Sequence, residues 1–119
     1  MPQPYERFDA WRLSHQLALE VYRVTSDWPK GEMFGLTAQA RRAATSAAVN
    51  IVEGSAKRGA AEFRRYLDIS NGSLAELGYL LRLGKDLGYL KVSAWEDIES
   101  RRDRAAQALF GLYRALGKR

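Results

Sequence analysis

The chain has 119 residues, 46% of them hydrophobic and 28% charged, and 19 Lys and Arg against 14 Asp and Glu leave a net charge of +5. That length fits one domain able to bury a core without staples. The absence of cysteine excludes disulfides and thiolate metal sites and fits a cytoplasmic home. No apolar run approaches the roughly 20 residues that span a bilayer, and the leading MPQPYERFDAW lacks the basic-then-apolar pattern of a signal peptide. The positive balance leans toward an anionic partner.

Pro2 and Pro4 keep Met1 and Gln3 out of helical geometry. Asp9 is the predicted N-cap of a first helix over about 10–26, with Leu13, Leu17, Val21 and Val24 on one face and Trp11, Ala18 and Tyr22 broadening it. Trp28-Pro29 ends that helix and is expected to turn Trp28 back over the bundle end. The connector Lys30–Gly35 holds two glycines, and its apolar Met33 and Phe34 are expected to pack down. A second helix over about 36–53 is rich in alanine, which favours helix and lets neighbouring backbones approach closely.

Gly54 is the predicted C-cap, in left-handed geometry, and Gly59 the N-cap of a third helix over about 60–87. That helix carries two seams. Phe63, Leu67, Ser70, Leu74, Leu77, Leu81 and Gly84 form one, and Tyr66, Ile69, Ser73, Glu76, Leu80 and Leu83 form the other. After Gly88, Ser93 is the predicted N-cap, with Glu96 completing a capping box. The fourth helix, over about 94–116, has an apolar stripe interrupted only by Arg102. Four long helices with short connectors predict one all-α domain over residues 1–119, an antiparallel up-down-up-down four-helix bundle. The two adjacent seams and the small-residue helix leave more apolar surface than one bundle buries, which points to self-association.

Several residue groups stand in one order along the chain: Trp11, Phe34-Gly35-Leu36-Thr37, Gln39 with Arg41-Arg42-Ala43, Ser46, Asn50-Ile51-Val52-Glu53-Gly54, Glu62-Phe63, Tyr66-Leu67 and Gly72-Ser73-Leu74-Ala75-Glu76-Leu77. Together they resemble the small bacterial four-helix bundle family named for proteins encoded in intervening sequences of 23S ribosomal RNA genes. The resemblance runs from Phe8 into the last helix. It implies a four-helix bundle and a ring-shaped homopentamer, and no known activity. Gly59 and Ala60 stand where many relatives have serine or threonine, so the third helix is capped less firmly here. A more distant similarity of architecture is to the accessory protein of diversity-generating retroelements, a basic pentameric bundle that binds nucleic acid and a reverse transcriptase.

Catalysis fails on inventory. The single histidine, His15, lies off the main apolar face and cannot furnish a di-iron site or a Ser–His–Asp set, and no glycine pattern matches a phosphate loop. No catalytic residue, metal site or cofactor is expected. The polar stripe of Gln39, Arg42, Ser46, Asn50 and Glu53 on helix two, with Glu76 on helix three, is read as a structural network in which Arg42 meets Glu76 or Glu53. The competing reading is a small-ligand or RNA site.

An up-down-up-down topology gathers Arg7, Arg12, Lys57, Arg58, Arg64, Arg65, Arg114, Lys118 and Arg119 at one end, against Glu6, Asp9, Glu53 and Glu62. Lys57, Arg58, Arg64, Arg65, Arg114, Lys118 and Arg119 are the candidate nucleic-acid-binding residues. Tyr66 and Tyr113 are the aromatics nearest that end, so backbone or shape recognition of structured RNA, with low sequence selectivity, is expected over base stacking. The alternative is an oligomeric scaffold whose positive end docks an acidic protein, as an accessory subunit of a nucleic-acid enzyme such as a reverse transcriptase.

Overall fold

Four α-helices make up the computed structural model, which describes residues 1–117: α1 (Asp9–Thr25), α2 (Leu36–Ser55), α3 (Ala60–Asp86) and α4 (Val92–Gly117). Short 3-10 turns at Pro4–Arg7 and Lys30–Glu32 precede α1 and α2, and no strand occurs among the described residues. α3 has 27 residues. At a rise of about 1.5 Å per residue it runs most of the 47 Å long axis of the molecule.

The alanines of α2 set the geometry of the core. Ala40, Ala43, Ala44 and Ala47 are buried, and they bring α3 so close that the Ser70 hydroxyl donates to the Ala47 carbonyl across the interface at 2.8 Å. A hydroxyl reaches another helix's main chain only where neither side interposes a large side chain. Contacts between the two helices run in opposite senses along the chain: Ser46 meets Ser73, Ala47 meets Ser70, and Gly54 meets Phe63. On α3 and α4, likewise, Arg64 meets Tyr113, Gly78 meets Arg102, and Lys85 meets Trp95. This packing fits a bundle.

The first seam of α3 is buried throughout, from Phe63 to Gly84, whereas the second is mixed: Ser73 and Leu80 are buried, but Ile69 and Glu76 are exposed. Trp28 folds back as expected. It is buried against Gly84, where a Cβ would stand 2.7 Å from the indole, and it tilts against Tyr89. Arg102, the break in the α4 stripe, lies over Gly78 and donates to the Leu74 carbonyl at 3.2 Å and to Glu99 at 2.7 Å. The apolar helix surface accepts a cation there because a glycine leaves room and a carboxylate pairs with it. The Glu99 hydrogen bond holds the Arg102 pKa above its ordinary value, against the opposing effect of partial burial.

Several local expectations are corrected. Gly54 is not a left-handed C-cap: α2 continues through it to Ser55, and only Gly59 and Gly88 have positive φ among the described residues. Gly59 does precede α3 as its N-cap, without a side-chain hydrogen bond. Gly88 closes α3 in a Schellman arrangement, its amide donating to the Lys85 carbonyl and the Tyr89 amide to the Gly84 carbonyl. Asp9 begins α1 rather than capping it, and its carboxylate pairs with Arg12. Ser93 lies inside the first turn of α4, which starts at Val92.

Two apolar groups expected to pack inward face solvent instead. Phe34 is 94% exposed and Met33 53%, because polar bonds close their loop without them. The Glu32 carboxylate accepts the Leu36 amide at 3.2 Å and the Tyr89 hydroxyl at 3.0 Å. Tyr22 is also exposed, with the Arg41 guanidinium over its ring. Arg41 in turn donates to the Thr25 hydroxyl at 2.9 Å, a half-buried polar contact of α1 with α2 that the spacing of leucines and valines does not mark.

Candidate nucleic-acid interface

One end of the molecule is built where Phe8 packs on Phe63 at 5.6 Å between ring centres and Gly54 meets Phe63 and Tyr66. Cations surround these rings. Arg7 lies over Phe8 at 4.7 Å, Lys57 and Arg65 lie over Tyr66 at 5.3 and 5.0 Å, and Arg64 lies over Tyr113 at 3.9 Å. Arg114 stands 5.7 Å from the ring of Phe110. Arg58 is exposed in the α2–α3 turn. Lys118 and Arg119, predicted as part of this set, lie outside the described residues.

Pairing thins the local negative charge. Asp9 is engaged by Arg12, and Glu62 by Arg65 at 2.9 Å. Glu6 accepts the Gln3 amide. The Arg65 hydrogen bond holds the Glu62 carboxyl below its ordinary range, so it stays ionised and neutralised together with its partner. Arg7, Lys57, Arg58, Arg64 and Arg114 make no ion pair among the described residues. Chemically, this is a cluster of cations, exposed except for the half-buried Arg64, whose charged groups lie against aromatic rings at all but Arg58, an arrangement suited to phosphate contact.

The polar stripe divides. Ser46, Asn50 and Ser73 form a connected group: the two hydroxyls are 2.8 Å apart, and the Asn50 amide donates to the Ser46 carbonyl and hydroxyl at 2.9 and 3.1 Å. Gln39, Arg42, Glu53 and Glu76 are exposed. The expected pairing of Arg42 with Glu53 or Glu76 is not made within one chain. α2 lies between α1 and α3, and its Arg42 side points outward. There it borders an open groove of about 610 Å³ whose wall includes Tyr22, Met33, Phe34, Arg41, Val49 and Asn50. A second hollow of about 310 Å³, with Trp11, His15, Leu19 and Val49 in its wall, shares Tyr22, Thr45 and Val49 with the first. His15 is exposed and stacks flat on Trp11, 4.9 Å between ring centres. No group of three metal-binding side chains gathers among the described residues, and no helix there is long and apolar enough to cross a membrane.

Sequence reading missed Phe110. It follows the stripe residue Leu109, so it points about 100° away from the core, and it is 60% exposed. Its signal was an aromatic standing off the apolar stripe near a charged end. With Tyr113 it borders a groove of about 240 Å³ between α3 and α4.

No curated protein matches the chain. A solved structure of a protein of unknown function from the S23 ribosomal protein family, from Bacteroides thetaiotaomicron, is similar with a TM-score of 0.78. The match covers 87% of this chain and 97% of that one at 21% identity, a likeness of fold. The family model of the 23S rRNA-intervening sequence protein matches residues 6–111. With that match spanning nearly all of its helical body, the chain belongs to the 23S rRNA-intervening sequence protein family.

Proposed function

We propose that the protein is a non-enzymatic, cytoplasmic nucleic-acid-binding bundle that engages structured RNA through its basic end. The observation that carries this reading is the set Arg7, Lys57, Arg58, Arg64 and Arg114. These cations stand at one end, unpaired among the described residues, while Asp9 and Glu62 beside them are already neutralised. Lys118 and Arg119 add to the same charge in sequence. The opposite run of contacts between α2 and α3, and between α3 and α4, supports an antiparallel up-down-up-down arrangement.

We propose further that the chain acts as a cyclic homo-oligomer, a pentamer. The support is the exposed apolar face of α1 and α2 with the preceding loop, which carries Leu19, Tyr22, Met33, Phe34 and Val49. A ring would repeat the basic end around one rim, so weak phosphate contacts would add by multivalency.

The test is titration of the purified protein with structured RNA at 50 and 200 mM salt, alongside its mass by light scattering. Release of counterions from several phosphates should weaken binding by about 10²-fold over that range. No binding at the lower salt would overturn the RNA reading and favour an acidic protein as the ligand of this end. A monomer mass at micromolar concentration would overturn the assembly.

A further inference from the structure

Between α3 and α4, beside the basic end, runs a groove of about 240 Å³. Its floor is the buried pair Leu67 and Leu109. One wall carries Phe110 and Tyr113, three residues apart and therefore on one face of α4. The other carries Asp68 and Asn71, likewise three apart on α3 and both exposed. The volume lies below the roughly 300–1,000 Å³ of whole-ligand pockets, so the groove suits a flat ring rather than an entire nucleotide.

The charges around it are asymmetric. Arg64, one turn before Asp68, is held over Tyr113 at 3.9 Å and does not pair with that carboxylate. Arg114 stands against the Phe110 ring at 5.7 Å. Each aromatic ring therefore has a cation beside it, while the wall opposite offers a carboxylate and an amide with no ion pair or hydrogen bond among the described residues.

From this juxtaposition we propose that the groove is a guanine pocket, which receives one unpaired guanine base of a bound RNA. The inference rests on the RNA reading above and adds base selectivity to it. A base would stack on the exposed Phe110 ring and lie beside Tyr113, one face of which Arg64 covers, since every base has a π-face to stack. The Asp68 carboxylate accepts two hydrogen bonds. Guanine is the common base whose Watson–Crick edge presents two adjacent donors, N1–H and the N2 amino group, and the Asn71 amide can donate to its O6. Adenine would turn the acceptor N1 toward the carboxylate and is disfavoured. Arg64 and Arg114 supply cations for the attached phosphates. The same two cations weigh against an arginine or lysine side chain as the occupant, because a third positive charge would enter between them.

The experiment compares three hairpin RNAs that differ only in one loop nucleotide, guanosine, inosine or adenosine, at one salt concentration, with guanosine and adenosine monophosphate titrated separately. The G-loop should bind about tenfold more tightly than the A-loop, within the range of one good bidentate base contact. Inosine, which lacks the N2 amino group, should fall between them. Asp68→Asn should erase the preference, with the A-loop bound no more weakly than by the parent. Phe110→Ala should weaken all three loops alike. Both side chains are exposed, so the variants should melt with the parent, and circular dichroism checks this.

Equal binding of all three loops by the parent, or a G preference that survives Asp68→Asn, overturns the pocket. Binding of the hairpins without base preference would leave the basic-end reading standing alone. Absence of binding to any hairpin and to both nucleotides overturns both. Capture of an arginine-rich peptide that Asp68→Asn abolishes would assign the groove to a protein ligand instead.

Discussion

The ring of Phe63 packs on the bare Cα of Gly54, so closely that a Cβ there would stand 2.8 Å from ring carbon Cδ1 and 2.8 Å from the Cβ of Tyr66. Tyr66 Cβ is tied to the α3 backbone, so the clash cannot be relieved by a rotamer change alone. Gly54→Ala would gain up to about 1 kcal/mol of helix propensity and lose about 1–3 kcal/mol to overpacking. The expected net is destabilisation, by about 1 kcal/mol at the middle of these ranges, read as a lower urea midpoint. A raised midpoint would mean that the α2–α3 contact yields more easily than its geometry implies.

The hydrogen bond from Tyr89 to Glu32 predicts an alkaline response. Donation of the phenol proton to the carboxylate raises the Tyr89 pKa above its ordinary 10.0, helped by desolvation and by the negative charge of Glu32. A group whose pKa is raised on folding stabilises fully below its unfolded value and loses that contribution as pH climbs through the folded one. Tyr89→Phe should therefore melt below the parent at neutral pH, with the gap closing above pH 10. A constant gap across that window would assign the loss to packing against Trp28 rather than to the proton.

Assembly should hinge on the outer face of α1 and α2. Phe34 is 94% exposed in one protomer, so Phe34→Ser should leave the helical content of the protomer unchanged. A buried aromatic anchor at an interface is worth about 2 kcal/mol or more, and its loss should lower the mass seen by light scattering at micromolar concentration. Arg42→Ala should change protomer stability by no more than about 0.5 kcal/mol, since Arg42 is exposed and pairs with neither Glu53 nor Glu76 in its own chain. If Arg42→Ala lowers the denaturation midpoint at every protein concentration, a pairing inside the protomer has been missed.

The basic end gives a prediction separable from folding. Changing both Arg58 and Arg65 to alanine removes two cations and releases the Glu62 carboxylate that Arg65 now neutralises. RNA affinity at low salt should drop by about tenfold or more, and the melting temperature should stay near that of the parent. Unchanged affinity in a filter or fluorescence titration would move the RNA site away from the α2–α3 turn.

What the sequence by itself determined is local. Alanine content, heptad spacing, Pro29, Gly59 and Gly88 are enough to place four helices, because propensity and turn chemistry act over a few residues. The first seam of α3 was legible for the same reason: residues at steps of three and four must share a face. Other assignments needed tertiary structure, because they depend on what stands opposite. Gly54 looked like a cap, since a glycine near a helix end usually is one, but it serves the close approach of Phe63 and Tyr66. Phe34 looked like a packed loop residue, yet Glu32 closes that loop with polar bonds and leaves the ring outside. Phe110 lies off the stripe beside Leu109, and only the packing of α3 with α4 sets it across a groove from Asp68 and Asn71. Periodicity reports which residues share a helix face; which helix, loop or open groove meets that face is decided when the helices pack.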